Sequence, residues 1–242
     1  EMYYKVGDDY VPRTAAMNSM PTTASGYHAA EEGNHSAPYE EPELNIISCT
    51  YIGKVFGGGY GERAVLHGNP TVNINMIAGR WASELGAADK LGEIVDVFGG
   101  GNAAKVEGNT TVNIGTATTV GMVTKPAYLA ESAYKKNTTT GLYDITAQGA
   151  NITGNVYGGG NLADVTGNTQ VNICAKKVTN SDNTTTWQSV TPGTAGVTIG
   201  SAGVTDKDHG NVFGGGKGEA ATSGDGAFEC LKAMVGVLDD IS

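Results

Sequence analysis

Five side chains able to act as an acid, a base or an electrophile follow glycine-rich segments of this chain. They are Glu62, Arg63, Lys105, Glu107 and Asp164. Enzymes that cleave polysaccharides place carboxylates and basic side chains of this kind as general acid and base. These positions, however, change residue type from one copy of the segment to the next, as solvated positions do. The pattern therefore predicts no catalytic residue, and we expect the chain not to be an enzyme.

The glycine-rich segments themselves lack the spacing of a phosphate-binding loop. A Walker loop needs G-x-x-x-x-G-K followed by Ser or Thr, and a dinucleotide site needs G-x-G-x-x-G at the start of a helix. The nearest match, Gly214-Gly215-Gly216-Lys217, has neither the spacing nor the hydroxyl residue. We therefore predict no nucleotide and no other cofactor.

Residues that could ligate a metal are also scattered. The stretch 158–165 loosely resembles one turn of a calcium-binding roll, in which an Asp must recur from turn to turn. Here Lys105 occupies the position of Asp164 in the second copy. The histidines have no partner at metal-ligand spacing. They are His28, His35, His67 and His209. We therefore predict no repeated metal site. Binding of a single isolated ion to the acidic surface is the one alternative.

Composition argues against two classes of partner. The 242 residues include 25 Asp plus Glu against 15 Lys plus Arg, a formal net charge of −10. Nucleic acid and anionic membranes attract basic surfaces, so neither is an expected partner. The sequence has no run of about 18 apolar residues that would span a bilayer. The three cysteines, Cys49, Cys174 and Cys230, lie far apart and are expected to form at most one disulfide.

Internal repetition is the main signal in the sequence. An aliphatic residue, an aromatic residue and three glycines occur four times, in segments that we call glycine boxes. They are Val55-Phe56-Gly57-Gly58-Gly59, Val97-Phe98-Gly99-Gly100-Gly101, Val156-Tyr157-Gly158-Gly159-Gly160 and Val212-Phe213-Gly214-Gly215-Gly216. Three of them are followed by an asparagine box, Gly-Asn-x-x-Val-Asn-Ile, at 68–74, 108–114 and 167–173. Units repeated in this way usually bury their apolar faces by stacking on their neighbours.

Both boxes predict strands that stack in register. In the asparagine box, Val and Ile share one side of a strand and the Asn between them lies on the other. Three consecutive glycines are unfavourable in a regular element, so their recurrence predicts a corner where strands about 4.8 Å apart leave no room for Cβ. Equivalent residues would then align in columns. We expect a column of aromatic rings at Phe56, Phe98, Tyr157 and Phe213, and an amide ladder at Asn69, Asn109 and Asn168.

These features predict an all-β chain with a parallel β-helix, or β-solenoid, over residues 43–226. A β-sandwich of hairpins is the alternative, since glycine-rich turns suit both folds. Residues 1–42 are predicted to be a linker or a loosely packed lead-in. Apolar residues at helical spacing predict a short C-terminal capping helix over 227–242. Insertions at 135–143 and 176–187 predict hairpin arms, whereas residues 75–94 favour a short helix.

The two boxes together resemble a known group of repeats. Segments of the form G-N-V-[FY]-G-G-G-N followed by G-N-T-x-V-N-I, best seen at 154–161 and 167–173, are similar to the glycine-rich repeats of large surface or secreted proteins of gut Bacteroidales. The resemblance covers residues 44–218. It implies a repetitive extracellular β-solenoid with an adhesive or structural role, and it brings no catalytic residues. The fourth glycine box departs from the pattern, because no asparagine box follows it.

We therefore expect a non-enzymatic extracellular module that acts as an adhesin or a structural stalk of a bacterial surface or secreted protein. The chain starts without an initiator Met, and we expect it to be a fragment of a longer protein. Candidate ligand-contact aromatics lie in the insertions at Trp81, Tyr143 and Trp187, although packing of their arm onto the solenoid is the alternative. The expected partner is a glycan or a surface protein of host or bacterium. Two other functions stay open: a carbohydrate-active β-helix that binds or cleaves polysaccharide, and a subunit that self-associates into filaments through exposed strand edges.

Overall fold

A computed structural model of the chain describes residues 3–6, 9–12, 41–77, 91–127, 129–193, 195–201, 208–218 and 235. The chain divides into two compact units, Glu1–Glu40 and Glu41–Ser242. In the first unit, strands β1 (Tyr3–Val6) and β2 (Asp9–Pro12) form an antiparallel pair. All other described elements belong to the second unit.

The second unit consists of short strands joined by turns. Its described strands are β3 (Glu43–Ile46), β4 (Tyr51–Phe56), β5 (Leu66–His67), β6 (Thr71–Ile74), β7 (Glu93–Phe98), β8 (Val106–Glu107), β9 (Thr110–Ile114), β10 (Thr119–Met122), β11 (Tyr134–Lys136), β12 (Tyr143–Thr146), β13 (Gly149–Ile152), β14 (Val156–Tyr157), β15 (Thr169–Ile173), β16 (Ala175–Thr179), β17 (Thr185–Ser189), β18 (Gly196–Ile199) and β19 (Val212–Phe213). Among the described residues the only helical element is a 3₁₀ turn, Glu131–Ala133. The prediction of an all-β chain is confirmed for this part of the molecule.

The three asparagine boxes and strand β3 form a four-stranded parallel sheet. Its order is β3-β6-β9-β15, so each strand lies beside the strand of the next repeat. Equivalent residues are opposite one another, as in the row Val72, Val112 and Val171. Strand β3 pairs with β6 in the same register, with Leu44 opposite Val72. The alignment of the boxes in sequence is thus the register of this sheet.

The glycine boxes form a second parallel sheet that has four layers. Strand β4 is the first layer, β7 the second, β13 with β14 the third, and β18 with β19 the fourth. Strand β7 is long enough to pair with β4 along one edge and with both β13 and β14 along the other. We number the layers of the first sheet in the same way, from β3 to β15. Each layer therefore contains one member of each sheet, and the chain passes to the next layer between a glycine box and the asparagine box that follows it.

Two narrower rows of parallel contacts lie in the chain between these sheets. Strands β5 and β8 pair in parallel, and isolated bridges extend their row to Val165 and Val235. The other row consists of bridges that join Tyr60, Asn102, Asn161 and Lys217. Both rows have four members among the described residues. The same repeat order therefore holds in every row of the stack.

Apolar side chains from the two parallel sheets share one core. Strand β9 shows the alternation expected for a half-buried strand, with Val112 and Ile114 fully buried and Asn113 outside. Ile74, Ile94 and Val97 from other layers join the same cluster. Burial of one such side chain is worth roughly 1.5–3 kcal/mol. Since the buried side chains come from several layers, this free energy stabilises the layers together and is not available to a single repeat.

Two antiparallel arms leave the stack after strands of the first sheet. Strands β16 and β17 form a hairpin directly after β15, with Trp187 opposite Lys177. Strands β10, β11 and β12 form a three-stranded sheet in the order β10-β12-β11 after β9. The predicted hairpin arms are therefore confirmed.

Two sequence predictions lie outside the described residues. The predicted short helix falls mainly on residues 78–90, and the capping helix on 227–242. Of the latter segment only Val235 is described, and its backbone forms the parallel bridge with Val165. The parallel arrangement of strands predicted from the repeats is confirmed.

Candidate functional site

The glycine boxes bring the backbones of successive layers into direct contact. A Cβ added to Gly58 would lie 2.8 Å from the amide nitrogen of Gly101 in the next layer. A Cβ added to Gly100 would lie 2.7 Å from the nitrogen of Gly160. An ordinary van der Waals contact is longer, and the obstructing atoms are backbone. The absence of side chains is therefore a steric requirement in these layers, as the sequence predicted.

The aromatic residues of the glycine boxes form one continuous column. The ring centroids of Phe56 and Phe98 are 4.9 Å apart, those of Phe98 and Tyr157 4.7 Å, and those of Tyr157 and Phe213 5.0 Å. The interplanar angles are 14°, 3° and 14° in the same order. Strand spacing imposes this near-parallel stacking, because each ring occupies the same position in its layer. The predicted column is confirmed.

The turns before the asparagine-box strands carry the predicted amide ladder. The backbone N–H of Asn109 donates to Oδ1 of Asn69 at 2.9 Å, and that of Asn168 donates to Oδ1 of Asn109 at 2.8 Å. The side-chain amide of Asn109 also donates to Oδ1 of Asn69, at 3.1 Å. Each turn is thus tied to the next through a side chain of the preceding layer.

A second amide ladder runs across the outer surface of the first sheet, and we call it the central ladder. Its members are Asn45, Asn73, Asn113 and Asn172. Each side-chain amide donates to Oδ1 of the preceding layer, over 3.0 Å, 2.8 Å and 2.7 Å in chain order. Sequence reasoning missed this ladder. The signal was available, because the Asn of each Val-Asn-Ile faces away from the core.

Two carboxylates lie at the first-layer end of these ladders. Glu43 accepts a hydrogen bond from Nδ2 of Asn73 at 2.7 Å, and Glu41 accepts one from Nδ2 of Asn69 at 3.4 Å. Together with Thr71, these four residues line a shallow cavity of about 380 Å³. The carboxylates therefore act as hydrogen-bond acceptors for the ladders.

A groove of about 440 Å³ lies between the central ladder and the arm that contains β10. Half of its lining residues carry amide or hydroxyl groups, namely Asn45, Asn73, Asn75, Thr116 and Thr119, and the other half are Ile46, Ile47, Ala117, Val120 and Gly121. The start of the arm is fixed here, because the backbone N–H of Ala117 donates to Oδ1 of Asn75 at 2.9 Å. Such groups can exchange hydrogen bonds with the hydroxyls of a sugar.

A second groove, of about 570 Å³, lies between the two arms. It is lined by residues 116–119 from one arm and by Lys176 and Gln188 from the other. The sequence candidate Trp187 is 57% exposed on the same arm. Because side chains alternate along a strand, its ring points to the side opposite Gln188. Trp187 is therefore a surface feature of the arm and lies outside both grooves.

The other candidate aromatics have different surroundings. Tyr143 packs edge-to-face on Tyr134, with ring centroids 5.7 Å apart, and Lys136 Nζ lies 5.8 Å from the Tyr143 ring centroid. Tyr134 and Lys136 both belong to the same arm as Tyr143, so these contacts lie within the arm and do not join it to the stack. Trp81 lies outside the described residues. The structure thus does not gather the three candidates into one site.

The acid and base candidates form ion pairs or lie on the surface. Glu107 contacts Lys105 Nζ at 3.0 Å and His67 Nδ1 at 2.9 Å. Arg63 is exposed, and Asp164 is half-buried in another layer. Glu62, also exposed, is adjacent to Arg63 in the chain. None of the five candidates is among the residues that line either groove.

Burial suppresses the reactivity of the two described thiols. Cys49 and Cys174 are unpaired and half-buried. Desolvation raises the pKa of both thiols above the ordinary value, so both are protonated at neutral pH. A thiolate is the reactive species, and these cysteines are therefore poor nucleophiles.

Among the described residues, no three His, Cys, Asp or Glu side chains are grouped so as to hold a metal ion. No helix in this part of the chain has the length and apolar character needed to cross a membrane. Comparison of the chain with protein-family models, with curated proteins and with solved structures finds no match.

Proposed function

We propose that the second unit is a β-solenoid whose function is mechanical. Each coil would run from a strand of the first sheet to the second sheet of the same layer, then through the glycine corner and the narrow rows to the first sheet of the next layer. The observation that carries this proposal is the common register: equivalent box residues are opposite one another in both parallel sheets. Every further coil adds the same hydrogen bonds and the same apolar contacts.

Such a stack is suited to act as a rigid scaffold. The aromatic column, the two asparagine ladders and the apolar core all link each layer directly to the next. Deformation of the stack would break several of these contacts at once. The arms, in contrast, project where the sequence between repeats is longest, and their antiparallel pairing is independent of the stack.

The proposed role is that of an extracellular, non-enzymatic adhesin or stalk of a bacterial surface or secreted protein. The resemblance of the boxes to surface repeats supports this role. The architecture supports it too, because a regular stack would give rigidity while the arms, which differ from each other, would contact a partner. The arm β16–β17 is the proposed contact surface, because all five residues of β17 are exposed and include Trp187.

The test separates the stack from the arm. A chain in which residues 176–188 are replaced by a short Gly-Ser turn should unfold at an unchanged temperature, while its binding to immobilised host or bacterial surface proteins is lost. The matched control shortens the other arm between β11 and β12. Loss of the cooperative unfolding transition on removal of the β16–β17 arm would contradict the proposal, because the arm would then be part of the scaffold.

Carbohydrate binding is the second candidate function, and the combination of amide and hydroxyl groups with apolar side chains in the first groove favours it. A glycan array would test it with two variants. Thr119→Val should abolish binding if the groove holds the sugar, whereas Trp187→Ala should abolish it if the arm does. Release of reducing or unsaturated sugar from a polysaccharide by the wild-type chain would instead identify an enzyme and refute the scaffold proposal.

A further inference from the structure

The two ends of the stack have complementary shapes. In the described residues, each row contains four layers: β3 to β15 in the first sheet, and β4 to β18 with β19 in the second. The narrow rows begin at β5 and Tyr60 and end at Val235 and Lys217. In any one layer, the strands of different rows can be displaced relative to one another along the stacking direction. Because every row has four layers, this displacement is the same at the first layer as at the last. In the described residues the rows therefore have the same relative positions at both ends of the stack.

The last layer retains glycines for which the described part of the chain shows no steric role. A Cβ on Gly158 would meet the carbonyl group of Gly214 in the next layer. At Gly214 and Gly215, nothing lies within 4 Å of the position of an added Cβ. The fourth glycine box thus presents the same side-chain-free surface that receives a following layer in the other three boxes.

Apolar side chains that are buried in the middle of the stack are exposed at its ends. In the last layer Val212 is 45% and Phe213 is 43% exposed, whereas Val97 and Phe98 are fully buried. In the first layer, Leu44 is 40% exposed, although the equivalent Val72 is fully buried. Tyr51 and Tyr60 are exposed at the same end. Both ends therefore present the apolar surface of an incomplete layer-to-layer interface.

We propose that a second copy of this chain docks onto the last layer, head to tail. Strand β4 of the second copy would pair with β19, and its Phe56 would extend the aromatic column beyond Phe213. Its β3 would pair with β15, which places Asn45 next to Asn172 and continues the central ladder. The interface repeats the contacts that join the layers within one chain, so it continues an interface already present three times. This inference rests on the observed register and does not depend on the proposed adhesive role.

The assembly has a defined polarity and a defined salt dependence. The contact joins different surfaces of the two copies, so it generates an open chain of subunits rather than a closed dimer. The formal net charge of −10 on each copy opposes association at low ionic strength. Added salt screens this repulsion, and assembly is therefore expected to increase between 0.01 M and about 0.15 M salt.

The experiment uses the 242-residue chain, with one variant for each end of the stack. Gly214→Val places a β-branched side chain on the open surface of the last layer, and Leu44→Lys places a charge on the first. Each variant is measured by sedimentation velocity and negative-stain microscopy over a range of concentrations. Thr186→Val, on the exposed arm, controls for added apolar surface. If Leu44→Lys does not fold, Tyr60→Glu replaces it, because Tyr60 is 80% exposed.

The wild type is expected to form end-to-end assemblies as concentration rises, and each variant is expected to remain a 24.8-kDa monomer. An equimolar mixture of the two variants retains one intact surface of each kind and should give a 1:1 dimer only. A small amount of Gly214→Val should shorten wild-type assemblies. A wild type that stays monomeric up to about 1 mM overturns the proposal. So does a fall in monomer thermal stability for Gly214→Val, since that would show that the chain itself covers this surface.

Discussion

The close contact between layers at the glycine corner predicts that Gly100→Ala lowers the free energy of unfolding. The added Cβ would lie 2.7 Å from the nitrogen and 2.9 Å from Cα of Gly160, and 3.1 Å from the carbonyl carbon of Gly159. None of these atoms can move without the backbone of the next layer. The second and third layers must therefore separate by several tenths of an ångström at this corner.

That separation weakens identifiable contacts. The N–H of Gly100 donates to the carbonyl oxygen of Gly159 at 3.0 Å, and the N–H of Gly99 donates to that of Tyr157 at 2.9 Å. Overpacking costs about 1–3 kcal/mol, and each weakened hydrogen bond adds up to about 1 kcal/mol. We expect a loss of about 3 kcal/mol in the free energy of unfolding. For a chain of this size, that corresponds to a fall in Tm of about 6–12 °C.

The matched control is Gly215→Ala, at the same position of the fourth glycine box. Its Cβ meets nothing within 4 Å, so stability should change by less than about 0.5 kcal/mol, or rise slightly because the unfolded chain loses freedom. Both variants are compared by urea unfolding followed by circular dichroism, at dilute protein concentration. Equal stability of the two variants would refute the argument that the layers touch through their glycines.

Three further predictions concern the corner turn, the central ladder and a thiol. Ala103 adopts a left-handed conformation with φ of 50°. Ala103→Gly should therefore stabilise the fold by about 0.5–1 kcal/mol in the same urea assay. The control is Ala104→Gly, which should destabilise the fold because Ala104 is fully buried. Asn113→Asp removes the donor to Asn73 and should cost about 1–3 kcal/mol at pH 7. Because only the protonated carboxyl can donate in its place, the carboxyl pKa should rise and the loss should diminish as the pH falls towards 4; a loss independent of pH would contradict this account. Burial raises the pKa of the Cys49 thiol, so its reaction with an aromatic disulfide reagent at pH 8 should be slower in the folded than in the unfolded chain. Equal rates would show that the thiol is accessible as thiolate.

The layer contacts were the most predictable part of the structure. The repeated boxes gave the register of both parallel sheets, because identical residues stacked at strand spacing form columns. The aromatic column and the turn ladder of Asn69, Asn109 and Asn168 followed from the same argument. The hairpin arms were also predictable from local turn chemistry, as in the turn at Asn183, which has φ of 63°.

The candidate site was less predictable. The groove depends on where the arm leaves the stack. The hydrogen bond from Ala117 to Asn75 fixes that position, and it joins residues too far apart in the chain for a local sequence pattern to predict it. The candidate aromatics share only their residue type and their location in the insertions. Their packing depends on which side of an arm faces its neighbours, so Tyr143 is engaged within its arm while Trp187 is exposed.

The sequence by itself determined the repeat unit, the alternation of buried and outward side chains, and the order in which equivalent residues stack. It could do so because these properties depend on spacing along a strand and on the absence of Cβ at three successive positions. Only the tertiary structure decided which outward side chains hydrogen-bond between layers, where the arms leave room for grooves, and which glycines have no neighbour. Those properties depend on distances between segments far apart in the chain, and they set the exposed surface at which Gly214 and Phe213 lie.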